Sequence, residues 1–200
     1  MRSISLGAIG VSRIVCGGNP FSGFSHQGAA KDREMRRFYT VARIKEALRL
    51  AEAAGIDTLF ARSDNFVIRL LEEYWDEGGR IQWVAQTASE LGDQIGAVRA
   101  AAACGAIGVY IHGGMVDHWF AQRKTGLLAD VLKAMRDSGV AAGFAGHAVE
   151  AHAWIRDHLD HDFQMCSYYD PSPRADSPHH VAHDDEKWDP AHRERMTALI

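Results

Sequence analysis

The sequence is poor in most of the features that mark a protein class. It has only three cysteines in 200 residues, Cys16, Cys104 and Cys166, far apart and odd in number. That argues against a disulfide framework and for reduced thiols in a cytoplasmic protein. No apolar run reaches the roughly 18 residues a membrane helix needs. Arg13 also interrupts the N-terminal apolar stretch where a signal peptide would carry its hydrophobic region. A membrane is therefore not an expected partner. Basic charge is not in excess: 22 Lys and Arg stand against 26 Asp and Glu, a net charge of −4, so nucleic acid is not expected either. Tightly spaced metal motifs such as paired cysteines or an HExxH helix are missing too.

What the chain does have is an ordinary globular balance, 46% hydrophobic and 24% charged, enough to bury a core as one domain over residues 1–200. Two short alternating pieces around Gly7–Gly10 read as a hairpin, followed by a strand at Arg13–Cys16 and a Gly17-Gly18 turn. Residues 20–37 show no periodicity and read as a long polar loop. From Thr40 onward the pattern alternates. A helix with Val41, Ile44, Leu48, Ala51 and Ala54 on one face ends at Gly55, and a strand follows at Ile56–Ala61. A second helix, capped by Asp64 and carrying Val67, Leu70, Leu71 and Tyr74, leads to a strand at Ile81–Ala85. A third, Asp93–Cys104, leads to the apolar stretch Ala106–Ile111. Helices around Leu128–Met135 and Val149–His158 lead to strands Val140–Phe144 and Asp162–Cys166, and Pro190–Ile200 reads as a last helix.

The registers agree. Seven residues beyond the helix-ending glycines Gly55, Gly79 and Gly105 stand Arg62, Gln86 and His112, and eight beyond Gly139 stands His147. Alternating helix and strand means a parallel sheet with helical crossovers, here the (β/α)8 barrel type with an N-terminal hairpin. About six of eight units are present, where such a barrel takes about 250 residues. The expectation is a truncated barrel, or a half-barrel completed by a partner that covers its open edge. In a barrel the residues just past each strand line one mouth. Arg62, Gln86, His112, His147 and Cys166-Ser167-Tyr168 are thus expected to share a pocket.

Leu6-Gly7, Gly10-Val11-Ser12-Arg13 and Gly17-Gly18-Asn19 resemble the opening of the aldo/keto reductases, and the likeness extends unit by unit over most of residues 4–169. The resemblance implies a barrel that reduces carbonyls with NADPH through an Asp, a Tyr, a Lys and a His. Only the His is matched, by His112. The Asp position falls on Phe60, with Asp57-Thr58 three residues too early; the Tyr position falls near Asn65 and the Lys position on Gln86. Asn65 cannot deliver a proton as a phenol does, and Gln86 carries no charge to tune one. The family's nicotinamide-holding Ser-Asn pair is Ala145-Gly146 here. Gln164 matches its amide ligand, and Tyr168 suits a stacking role.

The expected function is a divergent relative acting on a small polar carbonyl or hydroxylated substrate. His112 is its acid/base, since histidine titrates near neutrality. Arg62, Gln86 and His147 bind substrate, and Gln164 and Tyr168 would hold NADP. Two alternatives stay open. One is a metal-assisted lyase, isomerase or hydrolase using His112, His147 and Cys166, with Glu150 as orienting group or base. The other is a non-catalytic relative. Asp117 follows His112 too loosely to be read as its partner. Cys16 reads as a small core residue or a reactive thiol. Residues 170–190, which hold four of the five prolines and three histidines, read as a solvated loop, a lid or an adventitious metal site.

Overall fold

A computed structural model of the chain describes residues 1–170 and 187–199. The N-terminal hairpin forms as expected: β1 (Ser3–Leu6) pairs antiparallel with β2 (Ile9–Ser12) across Gly7, whose φ of +59° suits a residue without a Cβ. The next strand, β3 (Cys16–Gly17), is shorter and later than the sequence suggests.

Residues 20–37 are not a loop. They carry α1 (Asn19–Ser22) and α2 (Ala29–Phe38), and α2 buries none of its residues. Its few apolar residues, Ala29, Ala30, Met35 and Phe38, are too sparse to announce a core-facing helix. Its start is tied instead by Asp32, which accepts from the backbone and hydroxyl of Ser25 at 2.8 and 2.6 Å.

The alternating part follows the sequence closely. Thr40 caps α3 (Val41–Ala53), with Ile44 and Leu48 buried and Val41 exposed. The strand β4 (Thr58–Arg62) leads to α4 (Asn65–Asp76). Asp64 Oδ1 accepts from Val67 N at 2.9 Å, and all four expected face residues of α4 are buried. Then come β5 (Gln82–Gln86), α5 (Gln94–Ala103) capped by Asp93, and β6 (Gly108–Ile111). After His112 the chain enters a further helix, α6 (Gly113–Ala121), which the sequence pattern did not announce. The chain continues through α7 (Gly126–Asp137), β7 (Ala141–Gly146), α8 (Val149–His158) and β8 (Phe163–Cys166). A short antiparallel pair, β9 (Tyr169–Asp170) and β10 (Lys187–Trp188), precedes α9 (Pro190–Thr197).

Strands β3 to β8 form one parallel sheet in sequential order. The eight-fold closure is not present among the described residues; what stands is a six-stranded half-barrel. Its curl follows from side chains on the concave face. Phe60 of β4 and Phe163 of β8 lie four strands apart, which in a flat sheet is about 19 Å. Their ring centroids are 6.1 Å apart, with Tyr110 of β6 at 5.8 and 6.2 Å from them. The rings meet because the sheet wraps around them. Gly143 of β7 makes room: a Cβ there would stand 2.2 Å from the Phe163 ring.

The hairpin closes the N-terminal end of this concave face, with Leu6 and Ile9 packed on the aromatic cluster. Ser12 N donates to Asp57 Oδ1 at 2.8 Å and Asp57 N donates to Ser12 Oγ at 3.1 Å. Burial opposes the charge of Asp57, but the hydrogen bonds from Thr58 and Ser12 outweigh it and hold its pKa below the usual range. The larger core lies on the convex face, where Leu59, Trp83, Val109, Ile111 and Phe144 meet the crossover helices. No helix among the described residues is long and apolar enough to cross a membrane.

Candidate functional site

Strand alternation decides which face each residue serves. Phe60, Val84 and Tyr110 point into the concave face, so Arg62, Gln86 and His112 follow on the same side two residues on. The ladder continues at their ends: Ser63 N donates to Gln86 O at 2.7 Å, Thr87 N to Tyr110 O at 3.0 Å, and His112 N to Thr87 Oγ1 at 3.3 Å. These three residues therefore stand at adjacent C-terminal strand ends on the concave side.

Arg62 does not present an open guanidinium there. Its Nε lies 2.8 Å from Asp64 Oδ2 without being aimed at it, its Nη2 pairs with Glu90, and its face lies 4.9 Å over the Phe24 ring. An anionic ligand at Arg62 has to compete with two carboxylates. Glu90, unnoticed in the sequence, is partly desolvated, which opposes its charge. Its own backbone N–H, the Arg62 charge and hydrogen bond, and nearby His112 outweigh that and lower its pKa.

His112 has a structural task that its position at a strand end did not reveal. It is the N-cap of α6, its Nδ1 accepting from Gly114 N at 3.1 Å. An accepting Nδ1 leaves the hydrogen of the neutral ring on Nε2. α6 itself escaped detection because Met115, Val116, Asp117 and Trp119 are all buried, so it shows no amphipathic stripe.

The oriented pair of the mouth is His147 and Asp117. Asp117 is 5% exposed, and its carboxylate accepts from His147 Nδ1 at 2.7 Å. The same carboxylate accepts from the backbone N–H groups of His147 (3.0 Å to Oδ2) and Ala148 (3.1 Å to Oδ1). The start of α8 has no side-chain cap of its own, so Asp117 does that work from α6. A carboxylate on Nδ1 fixes the ring plane and the tautomer and leaves Nε2 as the basic nitrogen. The ring packs over Gly113, where a Cβ would stand 3.1 Å from His147 Cε1. The available signal was one acid inside the mostly apolar run Gly113–Ala121.

Cys166, Gln164 and Tyr168 do not share this pocket. Phe163 faces inward, so Gln164 and Cys166 face out toward α8, the side opposite to Arg62, Gln86 and His112. With Tyr168 they line a separate cavity of about 350 Å³ bounded also by His152, Arg156 and Leu199. This corrects the expected single mouth and separates the three residues of the metal-assisted alternative. Among the described residues no three His, Cys, Asp or Glu side chains gather as a metal site requires. Glu150 is tied to Arg195 instead of orienting a histidine. Gln164 is likewise engaged: its Oε1 is bonded by His152 Nδ1, and its Nε2 lies 2.9 Å from His161 Nε2. So Gln164 and Tyr168 do not fit a nicotinamide held in the mouth.

His152, which sequence reasoning passed over, sits on the buried face of α8 with Ala151 and Ile155 and is 1% exposed. Burial opposes its protonation. The sulfur of Cys166, the Gly146 backbone and Gln164 outweigh that and push its pKa up to about 9. Because the folded value lies above the ordinary 6.5, protonated His152 stabilises the fold fully below pH 6.5, and that contribution is lost as pH climbs through 9. Urea unfolding of the wild type is expected to show stability falling across this window, by on the order of 3 kcal/mol at most. His152→Gln should remove that slope; an unchanged slope would show that another group titrates.

Cys16 lies at the other edge of the sheet, and burial pushes its thiol up, as in an unreactive core cysteine. The lid and metal readings of residues 170–190 fall largely outside the described residues. Comparison with protein-family models finds no match for this sequence, and comparison with curated proteins finds none either.

Proposed function

We propose that this chain is a divergent aldo/keto-reductase-like barrel whose mouth performs acid/base chemistry on a small polar carbonyl or hydroxylated compound. The observation that carries the reading is the buried Asp117 holding His147 Nδ1 at 2.7 Å. It gives the mouth an oriented base, with proton transfer at His147 Nε2. His112, one strand away, bears its hydrogen on Nε2 and is the complementary donor. Base and acid thus stand at neighbouring strand ends, and the catalytic role expected of His112 alone is divided between two histidines. Gln86 faces the same side and supplies an amide for a hydroxyl or carbonyl oxygen. Arg62, held by Asp64 and Glu90, shapes the rim more than it binds charge. NADPH is kept as a variable of the test, because the residues the resemblance assigns to it line the other cavity.

The test is proton exchange. The protein is incubated in deuterated buffer with a panel of small hydroxy-aldehydes and hydroxy-ketones, with and without NADPH, and followed by proton NMR. Deuterium is expected to enter beside the carbonyl of at least one compound, and His147→Gln to slow this about 100-fold. No exchange or turnover on the whole panel, or a His147→Gln variant as fast as the wild type, would overturn the reading.

A further inference from the structure

The cavity between β8, α8 and α9 has its own chemistry, independent of the mouth. We propose that Cys166 and His152 form a second reactive site there, in which Cys166 exchanges with a small aliphatic disulfide and His152 protonates the departing thiolate. Register brings the two together. Gly146 and Cys166 are cross-strand partners on β7 and β8, with both side-chain positions facing α8. The missing side chain at Gly146 leaves the space His152 enters: a Cβ there would stand 3.0 Å from His152 Nε2.

The ring is aimed, not merely packed. His152 Nδ1 is bonded to Gln164 Oε1, and the Gln164 amide is braced by His161. Nε2 is buried and meets no partner in hydrogen-bond geometry among the described residues, although the Cys166 sulfur and the Gly146 backbone stand close enough to favour its charge. A buried ring nitrogen left without a partner costs free energy, which a ligand at the sulfur would recover. From α6, Asp117 Oδ1 also comes within 3.1 Å of where a Gly146 Cβ would stand, but that carboxylate is engaged by His147 and Ala148. Arg156, at the rim, is paired with Asp157.

The cavity, about 350 Å³ and walled by Tyr168 and Leu199, admits a small molecule and exposes the sulfur to it. Attack by the Cys166 thiolate forms one S–S bond and breaks another, and the departing thiolate takes the His152 proton. One thiolate, one disulfide and one imidazolium become one mixed disulfide, one thiol and one neutral imidazole, with no further oxidant. The other thiols are on β3 and at the end of α5, so no neighbouring cysteine resolves the product. It persists until a second small thiol removes it.

Oxidised mercaptoethanol is the probe, added to the full chain at a series of pH values, with the modified cysteine located by peptide mass spectrometry. At neutral pH, Cys166 is expected to react at least tenfold faster than Cys16 or Cys104, and His152→Gln to slow it at least tenfold. The wild-type rate should turn down as His152 loses its proton near pH 9, where the variant's continues to rise. Equal rates at the three cysteines, or a Cys166 rate unchanged in His152→Gln, overturns the site. Should that variant fail to fold by circular dichroism, the wild-type profile decides: a downturn supports the pair, and a monotonic rise overturns it.

Discussion

Asp117→Ala is expected to lower stability by about 3–4 kcal/mol and to abolish any activity that depends on His147. The substitution leaves three donors, two backbone N–H groups and an imidazole N–H, without their acceptor in a buried setting. Hydrogen bonds to a charged group are each worth about 1.5–3 kcal/mol, and here water can replace part of the loss. For a chain of this length that corresponds to a fall of roughly 10 °C in Tm. Asp117→Asn separates the two roles. Its amide oxygen can still accept from the backbone at the start of α8, so about half the stability should return. Its amino group, however, faces His147 Nδ1 and drives the ring hydrogen to the other nitrogen, removing the base from the mouth. A stable Asp117→Asn variant with full activity would mean that His147 does not act through Nε2.

The second large effect concerns the curl. Phe163→Ala is expected to cost about 3–4 kcal/mol, since it opens a void between Phe60, Tyr110 and Gly143 where the ring is 8% exposed. Phe60→Leu and Phe163→Leu, singly and together, test the geometry itself. Residues on strands four apart in a flat sheet should behave additively. Rings that touch should couple by about 0.5–1.5 kcal/mol. Urea midpoints read at constant m give the number, and additivity within error would rule out the half-barrel.

Much of this architecture could be read from residue order. The glycine-to-strand-end counts placed Arg62, Gln86 and His112 correctly, because a helix-ending glycine and a four- or five-residue strand leave little freedom in between. Asp64 was legible as a cap, and the α4 stripe was legible residue for residue, because both signals are local. What escaped depended on burial without alternation. α2 buries nothing and α6 buries most of its residues, so neither sets a dense apolar stripe against a polar back. Asp117 was compared with His112 because the two are near in sequence, whereas its partner lies thirty residues on, across a strand. The error over Cys166 had a remedy in plain view. Phe163 and Gln164 must face opposite ways, and Cys166 must side with Gln164; a strand of four residues offered too little pattern to make that parity stand out.

One strand looks empty of interest and is not. β7 reads Ala-Ala-Gly-Phe-Ala-Gly and contributes no ionisable group to either site. Yet on its concave side Gly143 lets the tip of the Phe163 ring reach the backbone, and on its convex side Gly146 admits His152 and Asp117. Both faces of this strand are thus packed down to the main chain. In a saturation-mutagenesis map, the least tolerant segment of the protein should be this one, where selection acts on what is left out.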